Sequence, residues 1–237
     1  MTSLPPPESE RSRDTSLSAS WHGDLQVLAP EAPASLRTGE VELLLSRWSE
    51  PQRRYHTVQH LVEVLQAIEG LAAAGEVDTV GARLARVAAW YHDVVYDPRA
   101  ASGSNEHRSA ALARDHLNAL GVARGSVDVI EALVLMTLDH DASAGPAALA
   151  SRRHTVEVLH DADLWVLSAP VARYREYARQ VRAEYAHVPD DLFTHGRSAI
   201  LSQFLQREDI YRTGHARRHW RAQAHRNLTT ELARLRA

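Results

Sequence analysis

From Trp21 onward, apolar side chains recur at intervals of three and four residues, and nowhere do they alternate over a strand's length between hairpin turns. A chain patterned this way buries its apolar surface by packing helical stripes against one another. Leu43, Leu44, Leu45 and Trp48 form one such stripe before Pro51. Leu61, Val64, Leu65, Ile68 and Leu71 carry the spacing on from His60 and predict a helix ending near Gly75. Leu84, Val87, Ala88, Tyr91 and Val95 mark the next helix, which stops at Asp97-Pro98. A short loop from Ala101 to Ser104 leads into a helix over 105–120, with Gly121 as its C-terminal stop. Val127, Ile130, Leu133, Val134 and Met136 mark another, residues 139–146 read as a loop, and further helices fall around 148–168, 170–186, 191–206 and 216–235. There is no internal repeat. The expectation is an all-α fold.

At 237 residues the chain suits one sizeable domain. Residues 1–20, rich in Pro, Ser, Glu and Arg, bury too little apolar surface to offset their ordering entropy and read as a disordered tail. Residues 21–237 then form a single all-helical domain. The formal net charge of -3 lacks the basic footprint of a protein that binds a nucleic-acid polymer. No apolar run approaches a bilayer span and the first twenty residues lack a secretory core, so a cytoplasmic location without a membrane partner is expected. The absence of cysteine removes disulfides, thiolate metal sites and cysteine nucleophiles, leaving histidine and carboxylate as the available metal ligands.

Histidine and aspartate occur in groups inside or beside apolar segments: His56 and His60 in YHTVQH, the dyad His92-Asp93, and His160-Asp161-Ala162-Asp163. On a helix, His56 and His60 share a face one turn apart. The dyad is flanked by Ala88-Ala89-Trp90-Tyr91 and Val94-Val95-Tyr96, which places it within a buried helix. Neighbouring positions point about 100° apart, so both can meet one ion only if it lies close beside that helix. Asp161 and Asp163 project to nearly opposite sides, so one faces inward while the other caps or meets solvent. Each group has a plain structural reading: a solvent-facing pair or a satisfied core imidazole for His56 and His60, and a salt bridge or helix cap for the aspartates. Three of them in apolar helices point instead to a shared cation and a metal-dependent enzyme.

The order H…HD…D resembles the HD superfamily of metal-dependent phosphohydrolases, an all-helical fold. YHTVQH is similar to the YHxxxH motif of its cyclic-nucleotide phosphodiesterases. The segments His56–Leu61, His92–Pro98, Asn105–Ala110, Asp161–Leu164 and Glu184–Val188 together resemble an uncharacterised group of HD phosphohydrolases over roughly residues 40–230. The resemblance implies an HD-domain helical bundle with His60, His92, Asp93 and Asp163 as metal ligands. Asp163 is preferred to Asp161 for its Ala162-Asp163-Leu164 context. His56 matches the general acid of the phosphodiesterases, and Glu106 matches an acidic residue implied to hold water beside the ion.

A two-histidine, two-carboxylate set with open positions suits Mn, Fe, Co, Ni, Zn or Mg as a divalent ion. The expected reaction is hydrolysis of a phosphate ester or anhydride in a nucleotide-like small molecule, with Asp93 accepting a proton from water and His56 protonating the leaving oxygen. His140, Arg182 and Arg197 are candidates for holding the substrate; the chain contains no lysine, so arginine is its only phosphate fork. Tyr174, Tyr177 and Tyr185 read as packing residues. Two alternatives stand beside the hydrolase. One is a di-iron oxygenase of HD type, drawing extra ligands from His107, His116 and His140, although His116 lies well off the face of Glu106. The other is a non-catalytic HD module that binds a ligand or serves as a scaffold.

Overall fold

The computed structural model describes residues 8–138 and 149–236, with side chains from Arg13 onward. Every regular element among them is helical. In order they are α1 (Glu8–Leu28), α2 (Ala34–Trp48), α3 (Val58–Ala73), α4 (Thr79–Tyr91), α5 (Ser104–Ala119), α6 (Arg124–Met136), α7 (Arg153–Asp163), a 3-10 turn (Leu164–Ser168), α8 (Val171–Glu184), α9 (Asp190–Gln206), α10 (Gly214–His219) and α11 (Arg221–Leu235). The all-α reading holds. None of these helices is long and apolar enough to cross a membrane.

Helix α4 is the centre of the bundle. Its Leu84, Ala85, Val87, Ala88, Ala89, Trp90 and Tyr91 are all buried, because α3, α6 and α7 pack around it and α5 and α1 cover what remains. On α3 the stripe Leu61, Val64, Leu65, Ile68 and Leu71 is buried as its spacing requires. Each such side chain withdrawn from water contributes roughly 1.5–3 kcal/mol. Thr57 caps α3 by accepting from Gln59 N, and Asp78 caps α4 by accepting from Gly81 N at 2.6 Å. Gly75 and Gly121, at φ +79° and +78°, end α3 and α5 in the left-handed conformation that other residues resist.

The structure departs from the expectations in four places. Residues 8–20, expected within a disordered tail, belong to α1. There Leu17, Trp21 and Leu25 recur every four residues and are buried, and Asp24 anchors the helix through Arg86 at 2.5 and 2.8 Å. The polar composition of the segment masked a single apolar stripe. The expected helix through the dyad ends instead at Tyr91, with His92 as its C-cap. His56 precedes the N-cap of α3 and does not lie on that helix. Finally, the long segments near 148–168 and 216–235 each divide, the first into α7 and the 3-10 turn and the second into α10 and α11. The loop expected at 139–146, with His140, lies outside the described residues.

Candidate metal centre

Helix α4 stops where Arg53 reaches in. This guanidinium is 3 % exposed and donates to the carbonyls of His56, Asp93 and Val94 at 3.0, 2.8 and 2.9 Å. It also stands over the rings of Trp48 and Tyr96 and pairs with Glu50. Carbonyls that a continuing helix would bond internally are satisfied by Arg53, so the chain turns after His92. That turn solves the directional problem of adjacent residues: His92 and Asp93 no longer diverge around a helix axis, and Asp93 Oδ2 lies 3.0 Å from His92 Nε2.

His60 comes from the first turn of α3 and Asp163 from the last residue of α7. His60 Nε2 lies 3.1 Å from His92 Nε2 and 3.7 Å from Asp93 Oδ2. Asp163 Oδ1 is 3.3 Å from His60 Nε2 and 3.4 Å from His92 Nε2. His60, His92 and Asp93 form a group that can hold a metal ion. The spacings can be checked against such an ion. Ligands about 2.1 Å from a common centre stand about 3.0 Å apart at right angles and about 3.4 Å apart at tetrahedral angles. The separations from His60, His92, Asp93 and Asp163 straddle those values.

Protonation supports the same fit. His92 Nδ1 donates to the carbonyl of Ala89 at 2.8 Å, which leaves Nε2 to face the centre, the arrangement that orients a ligating imidazole. Burial pulls the pKa of His92 down, but the carboxylates of Asp93 and Asp163 outweigh it and raise the pKa well above its ordinary value. His60, where burial dominates, is lowered. The same pair of carboxylates thus outweighs burial at one imidazole and not at the other. The walls are aromatic: Trp48 lies against both imidazoles, with ring centroids at 6.2 and 5.4 Å, and Tyr55 lies 4.7 Å from His60.

His56 sits at the mouth. Its Nε2 is 3.9 Å from Asp93 Oδ2, its ring stacks on Tyr96 at 4.1 Å, and its Nδ1 donates to Glu184 Oε2 at 2.8 Å. Glu184 also accepts the backbone N–H groups of Arg54, Tyr55 and His56 at 2.8, 2.8 and 3.0 Å, and the hydroxyl of Tyr96 at 2.9 Å. Burial alone would raise the Glu184 pKa, but the His56 hydrogen bond and charge together with the backbone donors hold it down at about 2. Burial likewise works against a charge on His56, and Asp93 and Glu184 overcome it, so the His56 pKa is raised. Side-chain exposure separates the set. His60 and His92 are 3 and 1 % exposed, while His56, Asp93 and Asp163 are 21, 16 and 12 % exposed and form the open face.

The remaining candidates lie elsewhere. Asp161 is wholly buried and accepts from Arg212 N, Thr213 N, Thr213 Oγ1 and His160 Nδ1 at 2.7–2.9 Å. Its role is to tie α7 to the segment before α10. Glu106, in the first turn of α5, is half-buried, and among the described residues no hydrogen bond joins it to the four-residue cluster. Arg182 and Arg197, expected near the substrate, are engaged away from it. Arg182 holds the turn after α8 through Asp190 and the carbonyls of Tyr185 and Val188. Arg197 is bound to Glu231 and to the hydroxyl of Tyr177. His116 donates to Glu40 at 2.7 Å, and His107 is exposed. Tyr174 and Tyr177 are buried, as packing residues should be.

Glu184 and Arg53 were not among the sequence candidates. Glu184 has a partial signal, as the first residue of the Glu184–Val188 segment; Arg53 has none, because one arginine of an Arg-Arg pair looks like any solvated charge. A scan of family models and searches of curated proteins and of solved structures find no match to this chain.

Proposed function

We propose that the chain is a metal-dependent phosphohydrolase, resembling the HD superfamily, that cleaves a phosphate ester or anhydride of a nucleotide-like small molecule. The observation that supports it is the meeting of His60, His92, Asp93 and Asp163, with the two imidazole Nε2 atoms 3.1 Å apart and the carboxylate oxygens 3.0–3.7 Å from them, and a carboxylate-backed histidine beside them. Those four residues would hold a divalent ion of the Mn, Fe, Co, Ni, Zn or Mg type. Such an ion supplies charge that draws in a phosphoryl oxygen and makes water more acidic.

The protein's own groups account for the protons. Asp93, ionised because the neighbouring imidazoles hold its pKa low against the effect of burial, accepts a proton from water as its oxygen bonds to phosphorus. His56, whose protonated form Asp93 and Glu184 favour against the effect of burial, is placed to give its Nε2 proton to the leaving oxygen as the P–O bond breaks. Glu184 fixes the His56 tautomer and ring direction and stabilises its cationic form. Groups positioned in this way typically contribute about 10²–10⁴-fold in rate. Trp48, Tyr55 and Tyr96 reduce the dielectric around the charges.

The test combines elemental analysis with phosphate release. Protein purified without chelator should carry a divalent metal, and with added Mn²⁺ it should release phosphate from members of a nucleotide panel. His56→Asn should retain the metal and lose about 10²–10⁴-fold in rate, while His92→Ala should lose both. Metal bound without phosphate release from any nucleotide or sugar phosphate would overturn the hydrolase reading, and two irons with a reductant-sensitive absorbance would replace it with the oxygenase.

A further inference from the structure

A second cavity, of about 760 Å³, opens between α8, α9 and α11 and shares no lining residue with the metal centre. Helix α9 packs along α11, and α8 rests on the 3-10 turn, so the three helices splay and leave a groove. Its floor is apolar, formed by Ala178, Phe193 and Leu235, with Val171 at one end 48 % exposed. Its edges are arginine: Arg175 and Arg179 one turn apart on α8, and Arg226 and Arg234 on α11. None of these four meets a carboxylate among the described residues; Arg226 bonds only the amide oxygen of Gln223.

The acids that could balance them are already committed. Glu231 is held by Arg197 and by the Tyr174 hydroxyl, and Asp190 by Arg182. The groove therefore carries an unbalanced charge of about four arginines beside apolar side chains, in a molecule whose formal net charge is -3. Four exposed like charges lining one cavity make its potential positive, which favours an anion there. Guanidinium groups bind phosphate through paired N–H donors, and the cavity volume falls within the roughly 300–1,000 Å³ of small-molecule sites. Thr194 lines the groove, and the Thr230 hydroxyl, which donates to the Arg226 carbonyl at 2.7 Å, can still accept from a base edge, which an acyl chain cannot supply.

We infer that this groove binds a nucleoside polyphosphate, with its phosphates between Arg175, Arg179, Arg226 and Arg234 and its base on Ala178, Phe193 and Leu235. The inference does not depend on the hydrolase proposal, because neither site borrows a residue from the other. Helix α8 connects them, since it carries Arg175 and Arg179 on the groove and Glu184 behind His56.

The test is a titration of the full chain with a fluorescent adenosine triphosphate analogue whose β,γ bridge is methylene, using inorganic tripolyphosphate as competitor. With excess chelator present, so that the metal centre holds no ion, wild type should still bind about one equivalent of the analogue. Arg175→Ser/Arg179→Ser should weaken binding at least tenfold, with metal content and thermal midpoint unchanged. Ala178→Glu, which places a carboxylate on the floor, should weaken it similarly. Tripolyphosphate should compete, but at least tenfold more weakly than the nucleotide. With chelator present, absence of saturable binding or equal binding by the arginine double variant would overturn the assignment. Equal potency of tripolyphosphate and nucleotide would overturn the role of the floor.

Discussion

The two faces of α7 put the same side chain to opposite uses within three residues. Asp161 faces the segment before α10, where two backbone amides, a hydroxyl and an imidazole fill its oxygens. Asp163 turns to the other side, where Oδ1 meets two imidazole nitrogens at 3.3 and 3.4 Å. Neutral donors with fixed positions make a carboxylate a structural bolt. Imidazole nitrogens place Asp163 beside the His60, His92 and Asp93 group that could hold a metal ion. The difference between the two residues is the chemistry of their partners and not their degree of burial alone.

The strongest separation between the faces should come from paired alanine variants. Asp161→Ala leaves four buried donors without an acceptor and should cost about 3–5 kcal/mol of unfolding free energy. Asp163→Ala should cost about 1 kcal/mol or less and weaken metal binding by more than about 100-fold, beyond what losing an outer hydrogen bond does. Urea denaturation read beside metal titration checks both. If Asp163→Ala unfolds the protein while Asp161→Ala spares it, the assignment of the two faces is reversed.

Glu184 belongs to both categories, and pH can separate its roles. Its folded pKa, about 2, lies below its ordinary value of 4.5, so the stability it contributes is full above pH 4.5 and disappears as pH falls toward 2. The shift corresponds to about 3 kcal/mol. Glu184→Gln should therefore be about 2–3 kcal/mol less stable than wild type at neutral pH, and the gap should narrow between pH 5 and pH 3. The same variant should shift the pH–rate profile through His56, which loses the carboxylate that favours its protonated form. A stability gap that does not depend on pH would mean that Glu184 acts through packing alone.

The readable parts of the sequence were those that repeat. The stripes of α3, α4 and α6 recur over three or four turns, so periodicity located them, and positive-φ glycines marked the ends of α3 and α5. The unreadable parts depended on partners distant in the chain. Nothing within α4 says that it stops at Tyr91; the stop depends on Arg53, some 40 residues earlier. His56 was expected on a helix because it stands four residues before His60, yet Glu184, 128 residues away, holds it outside the helix. Residues 8–20 look polar on average, and their helix becomes explicable only through the burial of Leu17 with Trp21 and Leu25. His and Asp in apolar surroundings mark the three groups, because such side chains need a partner; the choice of His60, His92, Asp93 and Asp163 within those groups is what the resemblance to the HD superfamily implies. The two arginines expected at the substrate could not be placed in the same way, because an arginine gives no local sign of whether it faces a carboxylate or a cavity.

The smallest effect tests the structural face of α7 from its other end. Thr213 is buried and serves two elements: its N–H and hydroxyl donate to Asp161 Oδ2 at 2.8 and 2.7 Å, and its Oγ1 accepts from Ala216 N at 3.2 Å as the N-cap of α10. Thr213→Val preserves the shape and the backbone donor but removes both hydroxyl bonds, so about 1–2 kcal/mol should be lost. Thr213→Ser, which restores the hydroxyl, should recover most of it. Metal affinity should be unchanged in both variants, because Asp161 lies behind the helix that presents Asp163. If Thr213→Val lowers metal affinity while Thr213→Ser restores it, the two faces of α7 are energetically coupled, and the structural bolt at Asp161 also sets the position of the ligand at Asp163.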